Sequence, residues 1–112
     1  MISKDDLLKN KDDLLSYSKQ IKSGDIQILI KWLNEKDDNI RYTTFLLLQI
    51  LSKKDDRVYK HWETFVEKLN DENSYQRSLG LMLISENIRW DTEDRFGKIC
   101  TLYLKHSMTR SS

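Results

Sequence analysis

Proline and alanine are absent from this chain of 112 residues, cysteine occurs once and glycine three times. No Asn-Gly or Asp-Gly pair is present to close a tight hairpin, so the sequence offers no strand-pairing signal. The single cysteine, Cys100, excludes an internal disulfide and fits a reducing compartment. One thiol also cannot assemble a thiolate-held iron–sulfur cluster. The three glycines are isolated, which excludes a glycine-rich phosphate loop. Charge of one sign is lacking too. Nineteen basic residues stand against eighteen acidic ones, a net charge of +1, and no bulk field draws the chain toward nucleic acid or anionic lipid. The longest apolar run, Phe45 to Leu51, is interrupted by Gln49. A bilayer needs about 20 such residues. The opening "MISKDDLLKN" has no continuous apolar core of a secretory signal. These absences predict a cytosolic chain without a membrane partner.

The candidates for chemistry are equally thin. His61 and His106 are far apart in sequence, and Cys100 falls on an apolar stripe, where a small core residue is expected. His61 reads as a plain surface histidine. The acid pairs Asp5-Asp6, Asp12-Asp13, Asp37-Asp38 and Asp55-Asp56 lack calcium-loop spacing and fall where helix caps are wanted. No catalytic residue, metal or cofactor is expected.

What is present is the helical period. Val58, Trp62, Phe65, Val66 and Leu69 fall on one helix face, and Phe96, Ile99, Cys100, Tyr103 and Leu104 on another. Asp25, Asp38, Asp56, Ser74 and Asp91 stand where N-caps are needed, and Gly24 offers a left-handed stop. The pattern predicts six helices near 4–22, 25–34, 38–53, 56–70, 74–89 and 92–106. Their short links force neighbours to pack antiparallel.

A repeat underlies this order. A shift of 36 residues places Ile30 on Val66, Leu33 on Leu69, Asn34 on Asn70 and Arg41 on Arg77. The same shift lays Phe45 to Leu48 on Leu81 to Ile84 without a gap. Each unit has an amphipathic first helix and a second helix that is apolar nearly all round, which describes an α-solenoid. The predicted organisation is one all-α domain over 1–112. Residues 1–22 form an N-terminal capping helix, 25–53 and 56–89 two repeats, and 92–106 the first helix of a partial third. On a helical wheel of the second helix, Thr44, Leu47, Leu48 and Leu51 centre on the buried side. Tyr42, Gln49 and Lys53 point away, and their counterparts are Ser78, Ser85 and Arg89. That polar strip is the candidate contact face. Trp90, beside Arg89, is the best single candidate for an aromatic contact. Trp62 belongs to the core stripe, and Trp32 falls where the N-terminal helix could cover it.

The segments "DDNIRYTTFLLLQIL" and "NSYQRSLGLMLI", a polar turn with arginine near the start of an apolar second helix, resemble HEAT-type repeats. They look closest to small bacterial HEAT-like proteins, some of which carry a SufBD-type label. The resemblance covers about residues 25–106. It implies a short right-handed superhelix and an internal ladder joining Asp37 or Asp38 to Arg41, and Asn73 to Arg77. It further implies a non-catalytic scaffold that binds an unknown protein partner. The rival reading is a nucleic-acid binder using Lys31, Lys53 and Arg89 on the concave face, which the even charge balance disfavours. The apolar helix 92–106, followed by "SMTRSS", predicts either a homodimer through that end or a longer parent solenoid.

Overall fold

The computed structural model describes residues 2–91. Among these the chain is all-helical, with no strand. The α-helices are α1 Lys4–Lys9, α2 Leu14–Ser18, α3 Ser23–Trp32, α4 Asp38–Lys54, α5 Trp62–Lys68 and α6 Ser74–Asn87. Single 3-10 turns occupy Lys11–Asp13, Tyr59–His61 and Ile88–Trp90. The helix expected over 92–106, with Cys100 and the C-terminal pairing surface, lies outside the described residues, as does His106.

Local hydrogen bonding explains where the helices differ from expectation. The helix expected over 4–22 is two helices, because Asn10 ends the first. Its backbone N–H donates to the Asp6 and Leu7 carbonyls, and its side-chain amide to Asp6 O at 2.7 Å. Asp13 then starts α2 by accepting from the Ser16 N–H at 3.4 Å. Short polar side chains that bond nearby backbone compete with helix continuation in this way. The helix expected from Asp56 starts only at Trp62. The Asp55 carboxylate accepts both the Arg57 N–H and Nε–H at 3.0 Å and holds the chain in a turn.

The caps also move. Asp37, not Asp38, caps α4, accepting from the Asn39 and Ile40 N–H groups at 2.9 and 3.3 Å. Asn73, not Ser74, caps α6, accepting from Tyr75 N–H at 2.8 Å. Asp25 sits inside α3 and accepts from the Lys22 N–H at 3.0 Å, the return half of a capping box. Gly24 is therefore no left-handed stop but part of the first turn of α3, and a Cβ added there meets nothing within 4 Å. Gly24→Ala should raise stability by about 0.5–1 kcal/mol by restricting the unfolded chain. A thermal midpoint at or below wild type would count against that.

The centre of the molecule is α4, which packs against α1, α2, α3 and α6. Neighbours on several sides explain why it is apolar through most of its circumference. Thr44, Leu47, Leu48 and Leu51, the side the helical wheel selects, are fully buried. Four pairs of positions 36 residues apart are buried together: Ile26 with Trp62, Leu29 with Phe65, Leu47 with Leu83, and Leu48 with Ile84. Trp32 is buried as well. Helices α4 and α6 lie side by side and run in the same direction. The Arg41 guanidinium stacks 4.7 Å from the Tyr75 ring centre near their N-termini, and Asn87 Nδ2 donates to Ser52 Oγ near their C-termini.

Candidate interaction surface

The strip selected by the helical wheel spans α4 and α6. Tyr42 is 55% exposed, and Lys53, Ser78, Ser85 and Arg89 are exposed too. Gln49 and Trp90 are half-buried. Trp90 is held rather than presented, because its indole N–H donates to the Ser52 carbonyl at 2.7 Å. Ser52 itself is buried, donates to Leu48 O at 2.7 Å and accepts from Asn87. Trp90 thus plugs the junction beyond α6.

Helices α4 and α6 are not equally covered. Phe45 is 4% exposed, whereas its counterpart Leu81 is 53% exposed and Met82 43%. The repeat comparison matches the residue types of these positions but carries no information about which layer covers each. The strip on α6 therefore has an apolar shoulder that sequence reasoning missed.

The two arginines have a common geometry. Arg41 Nη1 donates to Glu35 O at 2.9 Å, and Arg77 Nη1 to Asp71 O at 2.7 Å, each reaching six residues back into the turn. Arg77 also donates to Glu72 O at 3.0 Å. Arg41 pairs in addition with the Asp38 carboxylate. Asp37 and Asn73 are occupied as caps, so turn carbonyls are the shared partners of the arginines. Carbonyls leave no trace in the side-chain sequence. Arg41→Lys keeps the charge but loses the planar fork that reaches a carbonyl, a carboxylate and a ring together. A cost of about 1–2 kcal/mol is expected from chemical denaturation, because charge-assisted bonds are the stronger ones. Arg77→Lys, at a more exposed site, should cost less. Equal effects at both sites would refute the distinction.

A polar cluster around Lys68 ties the chain just after α3 to α5 and α6. Lys68 Nζ donates to Asn34 Oδ1 at 2.9 Å and to Gln76 Oε1 at 2.7 Å, and Gln76 Nε2 donates to Leu33 O at 2.9 Å. Burial lowers the Lys68 pKa, and the Asp71 charge partly offsets this. With its donors committed to amide oxygens, Lys68 acts as a strut between α5, α6 and the turn that follows α3. Its 36-residue counterpart is the buried Trp32, the one sequence signal that this lysine faces inward.

His61 is half-buried rather than a plain surface histidine, and burial lowers its pKa below the usual 6.5. The unfolded chain therefore binds this proton more readily just below pH 6.5. Stability should fall as pH drops through that window. Thermal midpoints at pH 7 and pH 5 should differ less for His61→Gln than for wild type; an unchanged difference would clear His61 of any part in it.

Among the described residues, no three His, Cys, Asp or Glu side chains are placed to hold a metal ion. No described helix is long and apolar enough to cross a membrane. No family model, curated protein or solved structure matches the chain.

Proposed function

We propose that the chain is a short right-handed HEAT-like solenoid serving as a non-catalytic protein-interaction scaffold. The observation that carries this reading is that the 36-residue spacing recurs in space. Four pairs of equivalent core positions, Ile26 with Trp62, Leu29 with Phe65, Leu47 with Leu83 and Leu48 with Ile84, are buried alike, and Arg41 and Arg77 bond equivalent carbonyls. Repeats stacked in this manner build a continuous core and leave one row of second-helix residues facing outward. Tyr42, Lys53, Ser78 and Ser85 form that row, with Gln49 half-sunk between them and Arg89 and Trp90, in the 3-10 turn beyond α6, closing its end.

Capture of partners from host lysate on the immobilised protein, with and without nuclease, tests the reading. A protein partner should survive nuclease treatment and be lost from a Tyr42→Ala/Ser78→Arg/Ser85→Arg variant that keeps the wild-type circular dichroism spectrum. Capture that vanishes with nuclease, or that ignores the variant, would sink it.

A further inference from the structure

The even charge balance of the chain conceals a segregation that the fold creates. Lys54 Nζ donates to Ser18 Oγ at 2.5 Å and Arg57 Nη1 to Ile21 O at 2.8 Å, tying the end of α2 to the end of α4. These two bonds bring Lys19 and Lys22 to the same end of the molecule as Lys53 and Lys54, all four of them exposed. The acids of the same segments are largely spent. Asp25 is buried and accepts from the Lys22 backbone, and the Asp55 carboxylate is held by Arg57. Asp56 remains. At the opposite end of α4 the turns carry Glu35, Asp37, Asp38, Asp71 and Glu72, with Lys36 among them. The 17 residues of α4 separate the ends by about 25 Å, roughly three Debye lengths at physiological salt. Each end therefore presents its own field to a partner.

Helix dipoles explain part of this arrangement. Lys53 and Lys54 lie in the last turn of α4 and Lys19 follows α2, where a cation is favoured. They do not explain Lys22, which stands at the N-terminal cap of α3, where the dipole opposes a cation. Nor do they require separate helix ends to converge. Among the described residues of this end, the cations without a carboxylate partner are lysines, and of these Lys54 is tied to Ser18. Arg57 is engaged by Asp55 and Ile21, and Arg89, near the same end through Trp90 and Ser52, is engaged by Glu86. The net charge of +1 gives the chain no bulk field with which to track a phosphate backbone, whereas a short carboxylate-bearing segment needs only the local cluster of lysines.

We propose that this lysine end docks an Asp/Glu-rich segment of the partner protein. The inference rests on the scaffold reading and names the chemistry its partner carries. The full-length protein is titrated into a fluorescently labelled twelve-residue Asp/Glu-rich peptide, and into a single-stranded oligonucleotide of equal formal charge, with polarisation as the readout. Lys22→Glu/Lys53→Glu should weaken peptide binding at least tenfold. Lys31→Glu/Lys36→Glu, with the same change in net charge on exposed residues elsewhere, should leave it within twofold. Circular dichroism melts verify folding, and Lys22→Gln/Lys53→Gln replaces the reversal if that variant melts early. No peptide binding by wild type, or equal loss in both doubles, overturns the proposal. Oligonucleotide binding more than tenfold tighter than the peptide, lost in the same variant, reassigns the patch to phosphate and also overturns it. Partner capture from lysate that persists without peptide binding removes only the acidic-segment assignment, whereas failed capture removes the scaffold reading itself.

Discussion

Gly80→Ala is expected to lower stability by about 1–3 kcal/mol, the range for overpacking, even though alanine is the better helix former. Gly80 lies in the middle of α6 at its crossing with α5. A Cβ added there would come within 2.8 Å of both Lys68 Cβ and Phe65 O. Neither obstacle is the free end of a flexible side chain. One is backbone, and the other is rooted on α5 and held by the Asn34 and Gln76 bonds. The two helices would have to separate, disturbing Phe65 and Leu83, both fully buried. At about 4–8 °C per kcal/mol for a domain of this size, the thermal midpoint should drop by roughly 5–20 °C. The position 36 residues earlier is Thr44, buried in α4. A Thr44→Gly variant should therefore also be destabilised, by loss of packing instead of strain. If Gly80→Ala melts with wild type, α5 slides freely on α6 and the close approach is not a constraint.

That contrast between Gly80 and Thr44 marks what the sequence makes legible. Periodicity alone locates the buried faces, because a residue's side of a helix depends on spacing and not on the neighbouring layer. The choice of Thr44, Leu47, Leu48 and Leu51 as the buried side of α4 needed nothing further. Boundaries were less legible. Asn10 and Asp55 redirect the chain through bonds to nearby backbone, and such residues look alike whether they cap a helix or break one. The exposure of Leu81 against the burial of Phe45 was hidden for a different reason. The repeat equates their residue types, but coverage depends on what packs beside each helix. The convergence of Lys19 and Lys22 with Lys53 and Lys54 was hidden by summation. A net charge adds residues without regard to where helix ends meet, and the bonds to Ser18 and Ile21 make the two segments neighbours.

Leu47→Ala is expected to cost about 3–5 kcal/mol, toward the upper part of the range for leucine truncations in cores. The side chain has no exposed surface and lies in the helix that touches α1, α2, α3 and α6. Part of the loss is transfer free energy; the rest is the cavity, which closes only if several helices move together. A domain near 100 residues has about 5–15 kcal/mol of total stability, so this truncation removes a large share of it. Leu15→Ala is the matched control, because Leu15 is 61% exposed and its truncation should cost less than about 0.5 kcal/mol. Denaturant unfolding monitored at once by tryptophan fluorescence and far-ultraviolet circular dichroism separates two outcomes. Coincident transitions that shift together would mean that the helices around α4 unfold as one unit. Separate transitions in a Trp32→Phe background, with the fluorescence of Trp62 and Trp90 lost apart from helicity, would mean that α5 and α6 hold without the helices before them. The chain would then behave as stacked modules instead of a single cooperative core.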